Sequence, residues 1–156
     1  MPMLSLLNRL RRDTRANAVV EFAFVLPIFL SITVGTVEFG RAIFQANAVD
    51  KGVRAGALYA ARSPQPLSAA TIATAENLVR TGTLDGSGPF LATGWARAGA
   101  SVTITTSSFA VGTESLPVIR VAASVPYDPL LPNMNPLAGL TAFNIKANHE
   151  QAYVGD

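Results

Sequence analysis

From Ala18 to Phe39 the chain reads AVVEFAFVLPIFLSITVGTVEF, an apolar run in which only Glu21 and Glu38 are charged. As a helix it spans about 33 Å, enough to cross the hydrocarbon core of a bilayer. The next segment, RAIFQANAVDKGVRAGALYAAR, changes pattern without a break. Ala42, Ala46, Val49, Val53, Ala57 and Ala60 recur at spacings of three and four, which marks one apolar face. Arg41, Gln45, Lys51 and Arg54 are assigned largely to other faces. The pattern ends at Ser63-Pro64-Gln65-Pro66, because the residue before a proline is pushed out of the helical region. The prediction is one helix over 17–62, with its membrane part at about 18–39.

Beyond it, SAATIATAENLVR (68–80) predicts a second, shorter helix with Ser68 as N-cap and Gly82 just past its end. TGTLDGSGPF is a turn-rich connection. Period-two alternation then takes over. Val102 and Ile104 alternate with threonines; Ile119, Val121, Ala123 and Val125 share a face opposite Arg120. Phe143, Ile145, Ala147 and His149 alternate with Asn144, Lys146, Asn148 and Glu150. This predicts an antiparallel sheet of about three strands with one buried face, covered by the outer half of the long helix and by the short one. The fold class is α+β. Between the last two strands, PYDPLLPNMNPLAGL carries four prolines and is expected to be an ordered loop. It either tucks Leu130, Leu131 and Leu137 against the domain or presents them to a partner.

Charge sets the orientation. Residues 1–16 hold Arg9, Arg11, Arg12 and Arg15 against Asp13, so the basic character sits at the N-terminal tip. The positive-inside rule keeps 1–16, a basic leader, in the cytoplasm and exports 63–156 as a periplasmic domain. Nucleic-acid binding is not expected, since Lys and Arg do not cluster on the folded part. The chain has no cysteine, which excludes disulfides and thiolate-held metals.

Catalysis is not expected either. His149 is the sole histidine; it falls on the apolar phase of the last strand, the place of a packed edge residue. No serine sits in a nucleophile-elbow pattern, no second histidine completes a metal pair, and no glycine-rich phosphate loop follows a strand. The Asp85-Gly86-Ser87-Gly88 cluster has one carboxylate, too few for calcium, and reads as a turn. No catalytic residue, metal or cofactor is assigned.

Glu21 is the residue that needs a reason, because a charged side chain at the bilayer centre costs about 2.5–3.5 kcal/mol on insertion scales. A cut between Ala16 and Asn17 would make Glu21 the fifth residue of the mature chain. Asn17 would then carry a new ammonium group. A carboxylate at that position has an evident partner in the new amine of a neighbouring subunit, and pairing removes the cost of burying either charge alone.

Ala48, Gly52, Gly56 and Ala60 form a second pattern, a ridge of small residues four apart. Such a ridge lets another element approach closely, whether the chain's own domain or a neighbouring subunit. Pro27 removes one helical hydrogen bond; it is either a tolerated membrane-helix proline or a flexure used in assembly. Glu38 is expected at the outer interface, with Arg41 three residues on as a pairing cation.

RANAVVEFAFVLPIFLSITVGTVEFGRAIF resembles the N-terminus of TadE-like proteins, the pseudopilins (minor pilins) of tight-adherence (Tad/Flp) type IV pili. Glu21-Phe22 and Leu26-Pro27 match the family pattern of a basic leader, glycine at the cut, four small or apolar residues, then Glu-Phe and an apolar helix with Leu-Pro. Ala16 departs from it, since glycine is usual there. VRAGALYAAR and SVPYDPLLPNMNPLAGLTAFNIKANHEQ are similar to the family's post-membrane helix and C-terminal sheet. The resemblance implies a processing site at Ala16 and Asn17, cut by a prepilin-type aspartyl peptidase on the cytoplasmic side. It implies assembly through Glu21, Phe22 and Pro27 into or at the end of a pilus. The implied partners are other pilins and pseudopilins and an inner-membrane assembly platform. The implied location is the bacterial inner membrane, with the extracellular pilus as a further site. The alternatives are a single-pass membrane-anchored periplasmic adaptor, or a secreted domain released after Ala48 at the A-x-A sequence Ala46-Asn47-Ala48.

Overall fold

The computed structural model describes residues 14–130 and 143–154; the side chains of 14–17, 111 and 114 lie outside that description. Helix α1 (Thr14–Ala61, 48 residues) is followed by α2 (Ala69–Thr81), a single 3-10 turn (Thr93–Ala96), and strands β1 (Ser101–Val111), β2 (Glu114–Pro126) and β3 (Asn144–Ala152). The expected α+β class is what the structure shows. By its internal contacts the chain divides at Phe39 into an N-terminal unit and a unit from Gly40 onward.

Helix α2 is bounded by its caps. The Ser68 hydroxyl accepts from the Thr71 N–H at 3.1 Å, meeting one of the orphan donors of the first turn. At the other end Gly82 adopts φ 75° and its N–H donates to the Leu78 carbonyl, the left-handed stop that glycine takes without penalty. Arg80, in the last turn, pairs with Glu76 one turn earlier at 3.4 Å.

The sheet is an antiparallel meander in the order β1-β2-β3. Its register pairs Ile104 with Val121 and Val121 with His149, while Arg120 faces Glu150 across the other surface. Period-two side-chain alternation therefore sends Ile119, Val121, Ala123 and Val125 inward, and all four are buried. They join Val49, Val53, Ala57, Ala60 and Ala61 of α1, Ala75 and Val79 of α2, Trp95 and Ile145 in one core cluster. His149 is half-buried at the sheet edge.

The β1–β2 hairpin is longer than its apolar alternation suggested. It continues to a two-residue loop, Gly112-Thr113, where Gly112 has φ 63° and, among the described residues, no non-glycine has positive φ; that is the type II′ pattern, which matches strand twist. Phe109 pairs with Leu116 on this arm, and both are exposed. Pro117 is tolerated in β2 because its carbonyl accepts from the Tyr153 N–H at 2.9 Å. Its missing donor therefore faces the side on which the β2–β3 pairing ends, at Val118 and Ala152.

The first of the two loop readings is corrected at Leu130. Leu130 is 52% exposed and is not tucked into the domain; Leu131 and Leu137 lie outside the described residues. What is buried at the start of this connection is Tyr127, stacked on Phe143 with ring centroids 5.0 Å apart and planes 9° from parallel. The Tyr127 N–H also donates to the Phe143 carbonyl at 2.9 Å. Both feet of the loop are thus held together by one ring stack and one backbone bond.

The small-residue ridge explains how α1 and α2 meet. A Cβ on Gly52 would collide with the Val79 carbonyl oxygen, and one on Gly56 would stand 2.6 Å from the Val79 side chain. The two backbones are close because neither position carries a side chain. We expect Gly52→Ala to cost about 1–3 kcal/mol through overpacking, outweighing the helix-propensity gain of up to about 1 kcal/mol. Gly40→Ala, where nothing lies within 4 Å of a new Cβ, should keep that gain. Thermal unfolding of the two variants against the parent chain, followed by near-ultraviolet circular dichroism, separates them.

Candidate functional site

The described part of the N-terminal unit is a single stretch of α1. From Ala18 to Phe39 none of its residues is buried, and the phenylalanines Phe22, Phe24, Phe29 and Phe39 all stand outward. It belongs to the one described helix that is long and apolar enough to cross a membrane. Its few polar side chains are folded back on the helix. Ser31 donates to the Pro27 carbonyl at 2.8 Å, Thr33 to Phe29 at 2.9 Å and Thr36 to Ile32 at 2.9 Å. Each hydroxyl is satisfied within its own turn, which suits a helix whose surroundings offer no water.

Pro27 lies inside α1. Having no N–H, it leaves the Ala23 carbonyl without its usual donor and loosens the helix there. Glu21 and Phe22 sit one and a half turns before it, both exposed. The backbone at Ala16 and Asn17 is in the first turn of α1. The predicted residues of this segment therefore share one helix, and the chain itself covers none of those whose side chains are described.

The predicted ridge lies elsewhere. Gly52, Gly56 and Ala60 are buried and Ala48 is half-buried, with both glycines facing α2 inside the chain's own domain. The opposite stripe of α1, through Phe44, Lys51, Arg54 and Leu58, is exposed; Arg54 pairs with Asp50 at 3.0 Å.

One cluster was not foreseen. Gln45, assigned to an outer face, is only 7% exposed, and its amide reads the backbone of Asp128 in both directions. Nε2 donates to the Asp128 carbonyl at 2.9 Å, and Oε1 accepts from the Asp128 N–H at 3.2 Å. Arg41, half-buried one turn earlier, adds a bond from Nη2 to the same carbonyl at 3.2 Å. The Asp128 carboxylate pairs with Arg97 at 2.7 Å. The foot of the proline-rich loop is thereby fastened to the first turns of α1 beyond Phe39. The signal was in the spacing: Gln45 lies three residues after Ala42 and four before Val49, on the apolar phase itself.

The glycine cluster at 85–88 is a turn, as expected. The Asp85 carboxylate accepts from the Ser87 N–H at 3.2 Å. Hydrogen bonds from the Ser87 side chain and backbone and from Thr83 hold its pKa below the usual carboxylate value.

Against known proteins, residues 17–58 match the family model described as TadE-like protein. No curated protein and no solved structure matches the chain. The match begins at Asn17, the residue after the candidate cut, and runs through Glu21, Pro27 and the Gln45 contact to Leu58. The sheet and the proline-rich loop fall outside it.

The Gln45 contact gives a direct test. Gln45→Leu leaves the Asp128 N–H without its side-chain partner and its carbonyl with Arg41 alone, and should cost about 1–3 kcal/mol, the penalty for an unsatisfied buried polar group. Asp128→Asn keeps the backbone bonds and gives up only a partly exposed ion pair, for about 0–1 kcal/mol. Denaturant midpoints of the two variants give the ordering.

Proposed function

We propose, for a chain that is TadE-like over residues 17–58, that the protein is a minor pilin (pseudopilin) acting in assembly of a Tad-type pilus and not in catalysis. The family match links it to Tad pilus components, and the apolar helix fits membrane association. In this reading 1–16 is a cytoplasmic leader and about 18–39 lies in the inner membrane. The unit from Gly40 onward is periplasmic. A prepilin-type peptidase removes the leader between Ala16 and Asn17. The helix then leaves the bilayer for the end or body of the fibre, drawn by other pilins on the assembly platform.

The observation that carries the reading is Glu21, an exposed carboxylate near the start of an apolar helix in which no residue from Ala18 to Phe39 is buried. An unpaired charge is costly in such surroundings, whereas an ion pair with a neighbour's Asn17 ammonium satisfies both groups. The penalty thus acts as a filter for register, because only a subunit seated at the correct height neutralises it. Pro27, by loosening the helix, eases that transfer. At the cut Ala16 takes the place glycine usually holds.

In the native host, Glu21→Ala is expected to leave membrane insertion and leader removal intact while sheared pili lose the subunit. Mass spectrometry of the membrane and pilus fractions is the measurement. A mature chain beginning at Asn17 supports the reading. One beginning at Val49 would instead mean secretion after Ala48, and one that keeps Met1 throughout would mean an anchored adaptor.

A further inference from the structure

The sheet has two edges, and they are built differently. β3 carries Lys146 and Glu150, both exposed, and such charges blunt an edge against the addition of a further strand. β1, SVTITTSSFAV, is eleven residues long and holds no charge and no proline. It pairs with β2 one to one from Ser101 to Val111, without a bulge. The Pro117 carbonyl bonds to the Tyr153 N–H on the β3 side, so odd-numbered positions of β2 face β3 and even-numbered ones face β1. Their partners Thr103, Thr105, Ser107 and Phe109 turn their backbone groups toward β2. The N–H and C=O groups of Val102, Ile104, Thr106, Ser108 and Ala110 therefore point out of the sheet. Among the described residues no backbone group meets them.

The strand has two unlike halves. Val102 and Ile104 pack against the core yet are only half-buried, because no strand lies beyond them. Thr106, Ser108 and Ala110 are exposed and cover no core. β3 stops opposite Val118, so the arm beyond is two strands wide, an arrangement that is marginal in water. An antiparallel copy of the same edge answers both halves at once. With a two-fold axis at Thr106, Val102 faces Ala110 of the second copy and Ile104 faces its Ser108. On the outer face Thr103 meets the Phe109 ring, which is 65% exposed in the single chain. Every outward donor then finds an outward acceptor, and no like charges are opposed. We infer that the β1 edge is a docking surface for a second copy of this chain. Two three-stranded sheets join into one of six strands through a self-complementary contact. Each arm lies along its partner's core-covering half, which shields Val102 and Ile104 and gives the arm the third strand it lacks.

The chain has no cysteine, so single cysteines report the register in the full chain in detergent micelles. Thr106→Cys stands opposite its own copy with Cα atoms about 5.5 Å apart, within the roughly 4.4–6.8 Å that a disulfide spans. It is expected to give a disulfide-linked dimer under mild oxidation. Thr103→Cys lies about 20 Å along the strand from its own copy. That variant, and Asn148→Cys on β3, should stay unlinked. Thr106→Lys opposes two cations at an exposed position. By light scattering it should weaken dimerisation several-fold while keeping the near-ultraviolet circular dichroism of the parent. Cross-linking through Thr103→Cys or Asn148→Cys in place of Thr106→Cys overturns the pairing. So does a dimer that Thr106→Lys leaves intact, since that association runs through another surface. A monomeric parent chain overturns it as well; protection of the amides at 102, 104, 106, 108 and 110 from hydrogen exchange would then show that another segment of the same chain covers the edge.

Discussion

The backbones of α1 and α2 approach each other at Gly52 so closely that no side chain fits between α1 and the Val79 carbonyl. The rest of the domain is arranged around that approach. With α2 drawn in, Val79 and Ala75 reach the same cluster as Val49, Val53 and Ala57, and the cluster presents one surface for the sheet to cover. Ile119, Val121 and Val125 of the central strand fill it. A bulkier residue on the ridge would move α2 outward and open a gap in a close-packed cluster. The small residues are thus the condition for a packed interior in a domain without disulfides.

Much of this was legible in the order of residues. The apolar run, the caps at Ser68 and Gly82 and the alternation around Val121 and Ile145 each express one local rule, and the structure follows them. The outer arm of the hairpin was not, because Ser107, Ser108 and Ser115 carry no alternation; that arm is fixed by the Gly112 turn and by the pairing of Phe109 with Leu116. Gln45 was misplaced for a different reason. A polar residue on an apolar phase is normally read as an exception and moved outward, whereas here a backbone amide far along the chain satisfies it. Long-range partners of this kind leave no periodic trace. The ridge showed the need for a close neighbour, and only the fold identified that neighbour as α2.

The same helix carries two chemistries in succession. Over Ala18 to Phe39 it buries nothing against its own chain and turns its hydroxyls back on itself; from Gln45 onward its inner face is packed and its amide is spent on the loop. The family match spans both stretches. Glu21 belongs to the first and is exposed there.

The stacked pair Tyr127 and Phe143, with the backbone bond beneath it, closes the base of the long connection between β2 and β3. Once the ends of a segment are pinned, extra length costs little: each doubling adds only about 0.6 kcal/mol of closure entropy. Apart from Asp128, which Gln45, Arg41 and Arg97 hold, positions between the two rings can therefore be inserted, deleted or exchanged while the strand register below stays as it is. In a protein whose framework admits few changes at Gly52 or Val121, this clasp gives selection one place to alter the molecule freely.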